Sequence, residues 1–231
     1  MRKLKALLVV LFAFSAISCA STSAQQARHE QLSYLEYSSI QLPDFTPAPA
    51  PDSPADKADF ATLHEWQDKR TPAQCDKAQS QANAYFEEFY GDLNPFVSPL
   101  PKDVSVFLRK VHHDTDEAVS ILKKRNNRPR PFRRDDTLNP CLGRINGLAY
   151  PSGHSTIVHV FGRILSDLDP ARKDEYMKRA DECALNRVIG GVHHPTDIEA
   201  GAKLADIVYE QFKKNPEFMK ELEALRSDLK H

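Results

Sequence analysis

The chain has 231 residues, with 31 Lys and Arg against 32 Asp and Glu, for a formal charge of −1. Its first 18 residues hold three basic side chains and no acidic one, so the remainder carries −4, which gives no electrostatic basis for gripping nucleic acid. Roughly 205 residues beyond the N-terminal segment are enough for one domain with a single substantial core.

Taken in chain order, Arg2, Lys3 and Lys5 precede an apolar run from Ala6 to Ala16 and then small residues. That is the layout of a secretory signal over residues 1–19, and the run is shorter than the ~20 apolar residues of a membrane span. Ala16-Ile-Ser-Cys19 resembles a lipoprotein box in which Cys19 is acylated and tethers the chain to a membrane; cleavage after Ala20 or Ala24 also satisfies the small-residue rule. Both readings predict a destination outside the cytoplasm, in the periplasm or cell envelope. Residues 20–56 are polar and then proline-rich without periodicity, the pattern of a leader or tether that lies on the domain or reaches away from it. Residues 57–231 are read as the catalytic domain.

From there the periodicity is helical. Thr71-Pro-Ala-Gln74 supplies a capping residue, a first-turn proline and a glutamine three after the cap, predicting a helix that runs to Gly91. Val104, Phe107, Leu108, Val111, Thr115, Ala118, Val119 and Leu122 keep one face apolar over about five turns. His112 and His113 fall in this stretch beside Asp114 and Asp116 and are read as solvated residues. Ile157, Phe161, Ile164 and Leu168 form the stripe of a further helix; Asp169-Pro170 opens another through about Leu185, and the last strong pattern runs from Pro195 to about Lys213. No alternating run reads as a strand, so the expected fold class is all-α, a single-domain helical bundle. Cys75, Cys141 and Cys183 follow the signal, and an oxidising compartment favours one disulfide among them, its pairing left open.

Three segments concentrate unusual chemistry. The stretch from Lys123 to Arg134 is basic, and its prolines hold it extended so that its guanidiniums can converge on one point. Pro151-Ser152-Gly153-His154 stands where a helix begins. Unpaired N–H groups, a hydroxyl and the positive end of the helix dipole suit an anion there, and the imidazole can carry a proton. In Asn186-Arg187…His193-His194-Pro195-Thr196-Asp197, Pro195 marks a helix start that places Asp197 to orient His193, while Gly190 and Gly191 permit a turn bringing Arg187 to the same place. A metal held by His193 and Asp197 lacks a third ligand and would be repelled by nearby cations. A tetrahedral phosphate needs this combination of cations, one nucleophile and one acid.

The ordered set resembles the type 2 phosphatidic acid phosphatase superfamily, which includes bacterial class A nonspecific acid phosphatases and vanadium haloperoxidases. Its signature is K-x6-R-P, P-S-G-H and S-R-x5-H-x3-D; here Lys123, Arg130-Pro131, the intact Pro151–His154 and Arg187, His193 and Asp197 match it, with Asn186 where the serine is usual. The resemblance implies a metal-independent and cofactor-free phosphatase. His193 attacks phosphorus, Asp197 orients it, His154 is the acid and then the base, and Lys123, Arg130, Ser152, Gly153 and Arg187 bind the phosphate oxygens. It also implies small phosphomonoesters as substrates and phosphate or vanadate as site ligands. A lipid phosphate or pyrophosphate phosphatase, a vanadate-dependent haloperoxidase and a non-catalytic phosphate-binding lipoprotein are the alternatives, and homo-oligomerisation is left open. The Asn186 amide still donates a hydrogen bond, so tuned affinity is expected at that position.

Overall fold

Helix α5 (Gly153–Leu168) is buried on almost every side, and helices α6 (Lys173–Ile189) and α7 (Pro195–Phe212) are its main packing partners. The expected stripe of Ile157, Phe161, Ile164 and Leu168 is buried, but Val158, Val160 and Leu165 are buried too. A helix apolar all round is a core helix rather than a surface one. The computed structural model describes residues 32–230; the signal segment, Cys19 and the alternative cleavage positions lie outside the described residues.

Around this core stand α1 (Pro54–Lys69), α2 (Pro72–Gln79), α3 (Phe86–Tyr90), α4 (Lys102–Asn126) and α8 (Pro216–Ala224). Among the described residues there is no strand, only an isolated antiparallel bridge between Phe96 and Leu229. The all-α expectation is met. No helix among the described residues is long and apolar enough to cross a membrane.

Local chemistry explains most of the boundaries. Thr71 and Gln74 form the expected capping box at the start of α2, with Pro72 at the first position. The helix does not continue to Gly91, however. It ends at Gln79, and the chain turns through residues 80–85 before α3. Side-chain bonds replace the helical ladder there: Asn186 donates to Gln81 Oε1 (2.8 Å), Glu88 accepts from the Asn83 backbone and side chain (2.9 and 2.7 Å), and Ala84 adopts a left-handed φ of 58°. Asp169-Pro170 starts a 3₁₀ turn rather than the helix itself, and α6 runs one turn past Leu185, so Arg187 lies on its last turn. Helix α8, which the sequence pattern did not single out, is capped by Asn215 and buries Phe218 and Leu222.

The leader is part of the fold. Asp114, fully buried in α4, accepts the backbone N–H groups of Ser33, Tyr34 and Leu35 at 2.7–3.1 Å. Tyr34 packs among Phe107, Phe212 and Phe218. Farther along, Arg125 donates to the carbonyls of Gln41 and Leu42, the Asn126 side chain accepts from the Ala48 N–H, and Tyr150 donates to the Thr46 carbonyl. Ser53 then caps α1, whose first turn begins at Pro54 rather than beyond residue 56.

Two devices hold the loop that leads to Pro151. The Cys75–Cys141 disulfide joins it to α2, leaving Cys183 as a buried free thiol. Helix α7 also crosses α5 at Gly201, where an added Cβ would lie 2.6 Å from the Ser152 carbonyl oxygen and 2.7 Å from Ser155 Cβ. Gly201→Ala is therefore expected to destabilise the fold by about 1–3 kcal/mol through forced separation at the start of α5. Urea unfolding measures this, and an unchanged midpoint would show that the crossing is not close-packed.

Candidate active site

The three segments singled out by sequence converge where α4 ends and α5 and α7 begin. Lys123 occupies the last turn of α4, Ser152 caps α5, and His193 and His194 immediately precede α7. One backbone bond ties the second segment to the third: the Ser152 N–H donates to the Asp197 carbonyl at 2.9 Å. Gly191, at φ 77°, turns the chain back from α6, and the N–H groups of Val192 and His193 both reach the Arg187 carbonyl.

The hydrogen-bond partners of His193 fix its tautomer. Arg130 donates to Nε2 from 2.6 Å, and a guanidinium has no acceptor, so Nε2 carries a lone pair and the proton is on Nδ1. That Nδ1 faces Asp197 Oδ2 at 3.4 Å. His194 holds the same carboxylate oxygen more tightly, from Nδ1 at 2.9 Å and from its backbone N–H at 2.8 Å. What separates the two histidines is the other ring nitrogen. His194 turns toward an apolar cluster, its ring edge-on to Phe60 at 5.4 Å, whereas His193 Nε2 faces Arg130.

His154 is fixed in the opposite sense. Its Nε2 lies 2.8 Å from the Ala82 carbonyl oxygen, which only accepts, so Nε2 bears the proton and Nδ1 is left for proton exchange. Phe89 lies against the ring at 6.1 Å, steeply inclined. Burial, then the charges of Arg187, Arg130 and Lys123, push its pKa down to about 3. Burial followed by the charge of Arg130 also holds His193 well below the ordinary histidine value. Both rings thus stand in the field of the same cations.

Those cations have no direct counter-ion among the described residues, and Asp197 acts on Lys123 and Arg130 only from a distance. Among the described residues, none of Lys123, Arg130 and Arg187 forms an ion pair. Arg187 is 2% exposed, and its Nε and Nη1 have no hydrogen-bond partner among the described residues. Lys123 donates to the Leu148 carbonyl and Arg130 to the carbonyls of Val192 and Asn146. Burial lowers Lys123 to about 7 and both arginines to about 10, so the guanidiniums remain charged at neutral pH. A buried charge without a partner is costly, and an anion placed among these groups would offset that cost.

A second network, absent from the sequence reading, supports the first. Arg128 is buried and bonds Asp197 Oδ1 (2.7 Å), Asp59 Oδ2 (2.8 Å), Asp56 Oδ1 (3.0 Å) and Thr196 Oγ1 (2.8 Å). Arg134 grips both oxygens of Asp56, and Thr196 donates to Asp59 through its N–H and its hydroxyl. Burial would raise the Asp197 carboxyl, but hydrogen bonds from His193 and His194 hold it well below the usual range. Arg128 stands in the basic stretch already noted; nothing in the spacing links it to carboxylates about 70 residues away.

Two expectations change. His112 is half-buried, its Nε2 without a partner among the described residues and its pKa lowered by burial, while His113 alone is exposed. The Asn186 amide does donate a hydrogen bond, but to Gln81. Among the described residues no group of three His, Cys, Asp or Glu side chains is arranged to hold a metal ion.

Residues 111–208, which hold Lys123, Arg130, the helix start at Ser152 and the His193–Asp197 pair, match the PAP2 superfamily. They form a PAP2 superfamily domain. The chain is 29% identical over 158 residues to a non-specific acid phosphatase of Providencia stuartii, an alignment covering 64% of this chain and 60% of that protein. It is 25% identical over 223 residues to an acid phosphatase of Zymomonas mobilis, covering 90% and 83%. A lipid A 1-phosphatase of Rhizobium etli is 31% identical over 87 residues, covering 36% and 38%. Among solved structures, a bacterial vanadium-dependent iodoperoxidase superposes with a TM-score of 0.56 at 18% identity, covering 76% of this chain and 52% of that one, a likeness of fold alone.

The site's charge balance has a measurable consequence. His154 titrates at about 3 in the fold against 6.5 in the unfolded chain, so the unfolded chain binds more protons across that interval. Stability should therefore fall as the pH drops from 6.5 towards 3. An anion among the cations raises both the histidine and Lys123, which burial lowers to about 7, and binding takes up protons. Sulfate, a dianion throughout, is expected to bind more tightly at about pH 5 than at about pH 8, with proton uptake visible by calorimetry in buffers of different ionisation enthalpy. Equal affinity at both values would overturn this charge assignment.

Proposed function

We propose that the chain is an acid phosphatase that hydrolyses phosphomonoesters without a metal, through a phosphohistidine on His193. One observation carries the reading: the unprotonated Nε2 of His193 faces Arg130 at 2.6 Å, and Arg130, Arg187 and the half-buried Lys123 form no ion pair among the described residues. The names of the Providencia and Zymomonas relatives support it.

In this reading Lys123, Arg130, Arg187, the Ser152 hydroxyl and the N-terminal N–H groups of α5, including that of Gly153, hold the phosphate oxygens. Arg130 moves from Nε2 to an oxygen as the anion arrives, freeing the lone pair. Nε2 then forms the bond to phosphorus while the ester P–O bond breaks, and His154 gives its proton to the departing oxygen. Burial and then the charges of Arg187, Arg130 and Lys123 keep His154 neutral in the free site; the phosphate's negative charge offsets the cations and favours the charged acid when substrate is bound. Asp197 retains its hydrogen bond to Nδ1 and steadies the positive charge on His193. In the second half His154 takes a proton from water, whose oxygen bonds phosphorus as the P–N bond breaks. The expected location is the cell envelope, with Cys19 as the candidate lipid attachment point.

A lipid phosphate at a membrane surface is the second reading, favoured by the likeness to the Rhizobium protein. Initial rates on soluble esters and on micellar lipid phosphates separate the two.

His193→Ala is expected to lower kcat for an aryl phosphate by on the order of 10³ or more without altering the helical circular dichroism. The wild-type reaction should survive excess chelator, be inhibited by vanadate and yield an acid-labile, base-stable phosphoenzyme on rapid quenching. Full turnover by the variant would refute the assigned nucleophile, and loss of wild-type activity in chelator would refute metal independence.

A further inference from the structure

Asn186 stands where related signatures carry serine, and its amide is bonded to the turn between α2 and α3. Asn186 Nδ2 donates to Gln81 Oε1 at 2.8 Å, and Gln81 Nε2 donates to the Cys183 sulfur at 3.1 Å. Gln81 is 1% exposed, so these contacts satisfy an amide that burial would otherwise leave costly. Asn186 and Cys183 are three residues apart on α6 and share one face of it. The next residue after Gln81 is Ala82, whose carbonyl oxygen receives the His154 Nε2 proton. On the far side of Ala82, Asn83 is bonded twice to Glu88, and Ala84 lies in the left-handed region. The turn is thus pinned on both sides of the carbonyl that orients the histidine, and helical continuity does not hold it.

We infer that Asn186 and Gln81 are positioning residues for proton transfer: they hold the Ala82 carbonyl against His154 Nε2 so that Nδ1 is the atom that donates to the leaving oxygen. This rests on the phosphatase reading above. Throughout the cycle Nε2 keeps its proton and donates it in a hydrogen bond to the Ala82 carbonyl oxygen. Nδ1 gives up a proton as the ester bond breaks and regains one from the attacking water. Without the clamp the turn relaxes, the ring loses its fixed acceptor, and Nδ1 is no longer held in line with the leaving oxygen. The hydroxyl of a serine at 186 would stand one bond closer to the backbone than the asparagine amide that meets Gln81 at 2.8 Å, so Asn186 and Gln81 form a matched pair in this chain.

The dependence on leaving group tests this. A p-nitrophenolate leaves without much help from an acid, whereas an alkoxide needs the proton. Asn186→Ala, Asn186→Ser and Gln81→Ala are each expected to lower kcat for an alkyl phosphate by roughly 10- to 100-fold while changing that for p-nitrophenyl phosphate less than about threefold. The Asn186→Ala, Gln81→Ala double variant should lose no more than the worse single one, because both act through one contact. Circular dichroism and thermal melting confirm that the variants fold. Equal losses on both esters, unchanged rates on both, or additive effects in the double variant would each overturn the assignment. Wild-type protein that turns over neither ester would instead fail the phosphatase reading itself. If a variant does not fold, chemical-shift titration of the His154 ring in wild-type protein decides. A proton on Nε2 supports the assignment, and one on Nδ1 in the neutral ring overturns it.

Discussion

The bond between Arg128 and Asp197 is the constraint on which the rest of the structure depends. It joins the extended segment after α4 to the first turn of α7, and through Asp56 and Asp59 it draws in the start of α1. One guanidinium thereby fixes three segments distant in sequence. Removing one partner from such a buried network costs about 3–5 kcal/mol, because the charges left behind have no water to turn to. Asp197 is also the group bonded by His193 and His194, so the bond that secures the fold also holds the residue that orients the proposed nucleophile.

Against this neutralised network the neighbouring cations stand out. Arg128 and Arg134 are matched by carboxylates, whereas among the described residues Lys123 and Arg130 are given only neutral acceptors, carbonyl oxygens and the His193 ring nitrogen, and two nitrogens of Arg187 have no partner. Two of those carbonyls, of Asn146 and Leu148, come from the stretch that Cys141 anchors by its disulfide and that Leu142 presses onto Gly190. Dipoles of this kind aim a guanidinium or ammonium group without cancelling its charge. The positive field is therefore left available to an incoming anion, and the neutral histidines wait beside it.

Much of this was legible in the sequence, for a physical reason. The proposed phosphoryl transfer admits few residue types, so Lys123, Arg130, the serine, glycine and histidine at the start of α5, and the His193–Asp197 pair carry their spacing openly. The all-α class followed from the 3.6-residue periodicity. What escaped depends on partners far apart in the chain. Asp56 falls in the leader pattern and nothing in the sequence marks Asp59 until Arg128 is beside them, nor Asp114 until the leader's N–H groups fold onto it. The break at residues 80–85 lies in a stretch whose composition suits a helix, and tertiary bonds from Asn186 and Glu88 override it. Cysteine pairing likewise waited on geometry.

The seating of the leader on Asp114 also sets a leash. Tether-like composition extends to residue 56, yet the chain is fastened to the domain from Ser33 onward. A lipid on Cys19 would be separated from that fastening by 14 residues, which fully extended reach no more than about 50 Å. Under the proposed lipoprotein reading, so short a leash would keep the site in a thin layer beside the membrane, where esters at or near the headgroups are met first.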